Sequence, residues 1–181
     1  LAFKMNDKIL NNIGLKNNLN FYFKNLNSVG KNVSTYKNSP QIEAQSMIEF
    51  NSELPLSKIT EFKNQTLIPR FSLRINPGDM KNHNTDQRKV NTDNIFDINR
   101  LGIEDSLESG YSFTAGFDFK SENKNDSEKF IQFKLASVFR DSVEDNIPTQ
   151  TSLNKKNSNI FGSISNKLNK NIILDYNFAI N

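Results

Sequence analysis

Apolar and polar side chains alternate along most of this chain with a period of two residues. The clearest run places Tyr111, Phe113, Ala115, Phe117 and Phe119 at odd positions, with polar or small residues between them. Successive side chains of a β-strand point to opposite faces of the sheet, so this spacing is typical of a strand. The pattern therefore predicts strands that have one apolar face and one polar face.

The same alternation recurs along the rest of the chain, at Leu19–Phe23, Ile42–Phe50, Phe71–Ile75, Ile131–Phe139 and Ile172–Ile180. We count seven clear strands and a weaker eighth near Phe3–Leu10. Strands of about ten residues suit a tilted crossing of a bilayer. Because proline cannot donate a ladder hydrogen bond, we place Pro69 at the start of its strand.

The connections between these runs alternate in length. Long polar segments lie at Asn27–Pro40, Pro77–Glu108 and Asp141–Asn157, and short turns lie at Lys58–Gln65, Ser121–Glu128 and Asn166–Lys170. Outer-membrane barrels combine short periplasmic turns with longer extracellular loops. A soluble sandwich has no reason to keep this alternation.

Composition narrows the class of protein. The 181 residues include 15 Phe and no Cys, and only 35% are hydrophobic. A mean hydropathy of -0.63 excludes a helical membrane bundle, and no stretch approaches the ~20 apolar residues of a spanning helix. The formal charge of +3 is mild and its signs are mixed, which favours a solvated surface.

Backbone groups within hydrocarbon must be hydrogen-bonded, so a spanning sheet has to close on itself. We therefore predict an all-β fold, an antiparallel transmembrane β-barrel, of which about seven to eight meandering strands lie here. Both ends look cut, so we expect residues 1–181 to be a single segment of a larger barrel. Such an open arc, with unpaired edges and an apolar outer face, is not expected to fold alone.

Several segments together resemble the LptD family of lipopolysaccharide-assembly proteins. The resemblance lies in Leu67–Gly78 and Asn94–Gly102, followed by Asp105, Glu108 and Gly110. Three further segments also fit: Leu54–Leu56, Ser137–Arg140, and the loop Pro148–Asn159 that leads into Phe161–Ile164. It covers roughly Ile42 to Asn181. It implies a middle-to-late part of the family's barrel domain, without the N-terminal periplasmic domain and without the two ends of the barrel.

The resemblance also implies a function, a location and partners. It implies an outer-membrane translocon component of a Gram-negative bacterium that inserts lipopolysaccharide into the outer leaflet. The implied partners are lipopolysaccharide, outer-membrane lipid, the lipoprotein LptE and the periplasmic Lpt bridge components. A general porin or receptor barrel is the main alternative, and a soluble secreted β-sandwich binding module is a third.

Two sets of candidate residues follow from the strand faces and the matching motif. A polar network in the lumen or in its loops is predicted from Arg70, Arg74, Asn99, Arg100, Asp105, Glu108 and Arg140. Lipid-facing side chains are predicted at Phe71, Leu73, Phe113, Phe117, Phe119, Phe133, Leu135, Leu174, Tyr176 and Phe178. For the strand arginines, pairing with Asp118, Asp175 or loop carboxylates is favoured over contact with lipopolysaccharide phosphates.

Catalytic and metal chemistry find little support in the sequence. His83 is the one histidine and lies in a polar loop, so we expect an exposed residue and no metal site. With one His and no Cys, the common nucleophile–base sets are poorly supplied. We expect no enzyme activity, no cofactor and no nucleic-acid partner.

Overall fold

The computed structural model describes residues 2–4, 8–10, 13–30 and 39–181 and shows an all-β chain. Its ten strands are β1 (Ala2–Lys4), β2 (Lys8–Leu10), β3 (Leu15–Ser28), β4 (Gln41–Glu53), β5 (Leu56–Ile59), β6 (Lys63–Asn76), β7 (Gly110–Asn123), β8 (Phe130–Arg140), β9 (Ile160–Asn169) and β10 (Ile172–Ile180). One 3-10 turn spans Thr149–Thr151. Among the described residues, no helix has the length and hydrophobicity to cross a membrane.

All ten strands belong to one antiparallel sheet. Eight of them follow one another across it in the order β1-β3-β4-β6-β7-β8-β9-β10, while β2 also pairs with β3 and β5 with β6. Within the described residues, β1 and β10 lie at opposite ends and the sheet is open. The predicted all-β antiparallel meander is therefore confirmed, as a partial barrel.

The prediction for Pro69 is wrong, because it lies in the middle of β6 rather than at its start. Its carbonyl accepts a hydrogen bond of 3.0 Å from the Leu54 amide. Residues 54 and 55 separate β4 from β5, so the position that lacks an N–H faces a break in the neighbouring ladder. A proline is tolerated there because an interruption already exists.

The two faces of the sheet differ in what lies on them. Loop A (residues 77–109) and loop B (residues 141–159) pack against one side, which we call the covered face, and the opposite side is the bare face. The buried core lies between the loops and the covered face and consists of Met80, Val90, Ile95, Leu101, Ile103, Ala136, Val138, Ile147, Leu153 and Phe161. Apolar loop residues thus pack against one side of the sheet.

Loop A is held in shape by its asparagines. The Asn91 Oδ1 atom accepts hydrogen bonds from the backbone amides of Asp93 and Asn94. Asn99 bonds both the amide and the carbonyl of Ile103. Asparagine side chains of this kind replace missing backbone partners in turns, so the polar composition of the loop is what allows it to fold without regular secondary structure.

Candidate functional site

A buried ionic cluster joins loop A to β7 and β8. Arg100 donates from Nε to Glu108 Oε2 at 2.7 Å and from Nη2 to Glu108 Oε1. Arg140 reaches the same carboxylate from β8 at 2.5 Å. The three side chains are at most 6% exposed, so this carboxylate joins two guanidinium groups out of contact with water.

Small residues of β7 complete the cluster. Arg100 Nη1 donates to the Thr114 hydroxyl at 2.9 Å, and Nη2 donates to the Ser112 hydroxyl at 3.1 Å. Gly110 has a φ of +79°, and a Cβ there would lie 3.0 Å from Arg140 Nη2. Glycine at this position therefore both permits the backbone conformation and leaves room for the guanidinium.

Glu108 is held in its charged form. Burial by itself raises the pKa of the Glu108 carboxyl, but the charge and hydrogen bonds of Arg100, and then the charges of Arg140 and Arg74, outweigh it. The result is a pKa lowered from 4.5 to about 2. The carboxylate therefore remains ionised through the physiological range, where it offsets the charge of the buried arginines.

A second buried pair links β4 to β6. Arg74 Nε donates to Glu49 Oε1 at 2.9 Å, and both side chains are 2% exposed. Asn20 and Asn51 donate to the other carboxylate oxygen at 2.8 Å each. Arg74 also donates to the Asp97 carbonyl at the tip of loop A. This pair therefore connects the strand wall to the loop as well.

Further along the same strands, less buried charges alternate across the covered face. Glu53 lies between Lys16 and Arg70, at 3.4 and 3.7 Å. Arg70 also lies 3.6 Å from Asp118 of β7. The ring of Phe96, at the tip of loop A, packs over the Arg70 guanidinium at 4.4 Å. Lys16, Glu53, Arg70 and Phe96 remain partly exposed and border a cavity of about 380 Å³.

Uncharged polar contacts attach loop A at several other strands. The Gln45 side-chain carbonyl accepts from the Leu107 amide at 2.7 Å, and Asn76 donates to the Glu108 carbonyl at 2.9 Å. Thr92 donates to Ser163 of β9 at 2.9 Å. One ion pair adds to these contacts, since the Asp93 carboxylate lies 2.6 Å from the Lys134 ammonium of β8. Loop A is thus attached to strands from β4 to β9.

The structure separates the seven residues of the predicted polar network. Arg74, Arg100, Glu108 and Arg140 are buried, and Arg70 is partly buried. Asn99 is exposed and bonds only within loop A, at Ile103. The Asp105 side chain is 50% exposed and contacts Lys81 and His83. Of the neighbours Asn99 and Arg100, only the arginine therefore enters the ionic cluster.

Two expectations for individual side chains need correction. His83 is not exposed, because its side chain is only 14% exposed and lies between two carboxylates. Asp175, suggested as a partner for a strand arginine, instead accepts a hydrogen bond from Ser165.

Sequence reasoning missed Glu49 and Gln45, which make some of the most buried polar contacts of the covered face. The alternation carried a signal, since both occupy polar positions of β4 between Ala44, Ile48 and Phe50. The partners could not be read from it, because they depend on the register between β4 and β6 and on where loop A returns.

The bare face carries the predicted lipid-facing side chains. Leu67 lies opposite Phe119, Phe119 opposite Phe133, Phe133 opposite Ile164, and Ile164 opposite Tyr176. Further along β6, Leu73 lies opposite both Phe50 of β4 and Phe113 of β7. The register therefore aligns apolar positions of neighbouring strands into a continuous band. We call it the apolar band.

A row of aromatic rings crosses neighbouring strands within the apolar band. The centroids of Phe50 and Phe71 are 6.1 Å apart, as are those of Phe71 and Phe113, and those of Phe113 and Phe139 are 6.4 Å apart. The band nevertheless stays exposed, at 38% for Phe71, 41% for Phe113 and 64% for Tyr176. An exposed aromatic surface of this extent marks contact with an apolar partner or with a membrane.

The described residues contain no group of three or more His, Cys, Asp or Glu side chains suited to a metal ion. The charged residues of the covered face instead pair with each other. Their arrangement can hold loop A against the sheet.

Comparison with known proteins gives one finding. A family model described as LptD, LPS transport system D, matches residues 43–179. No curated protein matches the chain.

Proposed function

Because the chain belongs to the LptD family of lipopolysaccharide transport, we propose that it forms part of an outer-membrane β-barrel of a Gram-negative bacterium. This barrel inserts lipopolysaccharide into the outer leaflet. The family is a transport family and not an enzyme family. The observation that carries the membrane part of this proposal is the apolar band. On β6 it runs from Leu67 to Ile75, and on β7 from Tyr111 to Phe119.

The height of the apolar band suits a bilayer. About nine residues separate its limits on each of these strands, within the range for a tilted transmembrane strand. Gln65 and Ser121, opposite one another just beyond the band, are polar. A β-sandwich would bury this band against a second sheet, whereas loops A and B pack on the other face.

We assign the buried charges a structural role within the barrel. Arg74, Arg100 and Arg140 each form an ion pair with a buried carboxylate and are shielded from solvent. Lipopolysaccharide phosphates are therefore not their partners in this state. The charges fasten loop A across the lumen. LptE and the periplasmic Lpt bridge components, which the family implies, are the proposed protein partners.

Depletion of the full-length protein tests the transport role. We expect lipopolysaccharide to accumulate inside the cell envelope and to return to the surface when the wild-type gene is restored. Unchanged surface lipopolysaccharide would remove the proposed function and favour a general porin or receptor barrel.

Fractionation tests the membrane part separately. We expect the full-length protein in the outer membrane, with a mobility in gels that changes on heating. Recovery as a soluble monomer without detergent would favour a secreted β-sandwich.

A further inference from the structure

His83 lies between two carboxylates of loop A. Its Nδ1 atom is hydrogen-bonded to Asp86 Oδ2 at 3.1 Å. Its Nε2 atom lies 3.2 Å from Asp105 Oδ1, a close ion contact rather than an aligned hydrogen bond. A neutral imidazole has only one N–H, so one of its nitrogens would turn a lone pair toward a carboxylate. Only a protonated ring turns an N–H toward each of the two carboxylates.

The surrounding charges balance only with that proton in place. Asp86 also faces Arg88 at 3.6 Å, and Asp105 also faces Lys81 at 3.5 Å. Lys81 in turn contacts Glu43 of β4 at 3.1 Å. The three carboxylates of this group, Asp86, Asp105 and Glu43, are matched by Lys81, Arg88 and a protonated His83. Loss of the proton leaves an excess negative charge.

The position of His83 connects this charge to the shape of both loops. Asp105 lies on the segment of loop A that returns to β7, so the ring bridges the outgoing and returning arms of the loop. The His83 amide donates to the Asn146 carbonyl of loop B at 2.9 Å. The next carbonyl, that of Asn84, accepts from the Thr149 amide at 3.2 Å. The two arms of loop A and loop B therefore meet at one histidine.

We propose that His83 is a pH-sensitive clip, in which the imidazolium form joins Asp86 and Asp105 and so holds the two arms of loop A together where they meet loop B. When the proton is lost, the ring keeps its hydrogen bond to Asp86 and releases Asp105, and the arms of loop A loosen. The clip acts on the loops alone and is independent of what the barrel transports. It shares no residue with the Arg100–Glu108–Arg140 cluster, in which Glu108 stays ionised over the same range.

Amide hydrogen exchange of the full-length protein in detergent tests the clip. Spectra are compared from about pH 5 to about pH 8, where an ordinary histidine changes charge, after correction for intrinsic exchange. Peptides covering 81–88 and 103–108 are expected to lose about twofold to fivefold in protection as the pH rises, the usual effect of a partly exposed ion pair. Peptides of β7 serve as the internal control.

Two variants separate the clip from general loosening. In His83→Gln, which carries no charge at any pH, protection of both segments is expected to stay at the lower, wild-type high-pH level throughout. Asp105→Asn is expected to remove the pH dependence as well, and gel mobility on heating checks that each variant is folded. A wild-type protein without the pH dependence, or a His83→Gln variant that keeps it, would overturn the proposal.

Discussion

The covered face and the bare face of this sheet reverse the usual relation between polarity and burial. On the covered face Arg74, Arg100 and Glu49 are fully enclosed, although they are charged. On the bare face Phe71 and Tyr176 are open, although they are aromatic. A single strand, β6, supplies both Arg74 and Phe71. The difference teaches that the chain covers its own polar wall with two loops and leaves its apolar wall uncovered, as the proposed contact with hydrocarbon requires.

The largest effect is expected from Glu108→Gln. This change leaves Arg100 and Arg140 buried without a carboxylate, and breaking a buried ion pair costs about 3–5 kcal/mol. We expect loop A to detach and the folded, heat-modifiable form to diminish. Glu104→Gln, an exposed carboxylate of the same loop, is the matched control. Equal stability of the two variants would contradict the role given to the cluster.

Acid is expected to act through the same carboxylate. The folded-state pKa of Glu108 is about 2, below its ordinary value of 4.5. Its contribution to stability is therefore complete above about pH 4.5 and is lost as the pH falls toward 2, by about 3 kcal/mol. Hydrogen exchange of loop A measures this loss. Glu108→Gln should lack it, and an identical acid response in that variant would show that other groups are responsible.

A cation on the bare face tests the lipid contact. Phe71→Lys places a charge near the middle of the apolar band, where lipid exposure costs about 2–4 kcal/mol. Phe62→Lys changes a more exposed phenylalanine in the β5–β6 turn, outside the band, and is expected to cost little. Assembly into the outer membrane and gel mobility on heating compare the two. Equal tolerance would mean that the band faces water.

Two glycines sharpen the comparison between the faces. An added Cβ at Gly116, on the covered face, would lie 2.5 Å from the Leu135 carbonyl oxygen, which is backbone and cannot yield easily. At Gly162, on the bare face, the Cβ would meet the end of the Phe178 ring, which can rotate away. We expect Gly116→Ala to cost about 1–3 kcal/mol and Gly162→Ala to cost less. Thermal transitions measured in detergent give the order, and the reverse order would contradict it.

Much of the sheet could be predicted from sequence because strand alternation is a local property. Phe71, Leu73 and Ile75 indicated a two-sided strand without any knowledge of their neighbours, and the alternating connection lengths indicated a meander. The predicted position of Pro69 was wrong because it, too, was based on local sequence alone. Whether a strand tolerates proline depends on the neighbouring strand, and the break at residues 54 and 55 was not visible within β6.

The polar contacts could be predicted only in part. The sequence predicted Arg74 and Arg140 as members of a polar network. Their ion-pair partners Glu49 and Glu108 depend on strand register and on the path of a 33-residue loop (residues 77–109). Asn99 and Arg100 are neighbours, and the sequence predicted both as members of the polar network. Only the turn geometry of loop A decides which one enters the ionic cluster. His83 was read as exposed because nothing local shows that loop B passes beside it.

The most direct test of the two-faced sheet is a spin-label scan of positions 111–119 of β7 in the full-length protein in membranes. Labels at the odd positions are expected to be accessible to oxygen, which dissolves in lipid, and shielded from a water-soluble relaxation agent. Labels at the even positions are expected to be less accessible to oxygen. Odd positions that are open to the water-soluble agent, or no period of two, would contradict the account.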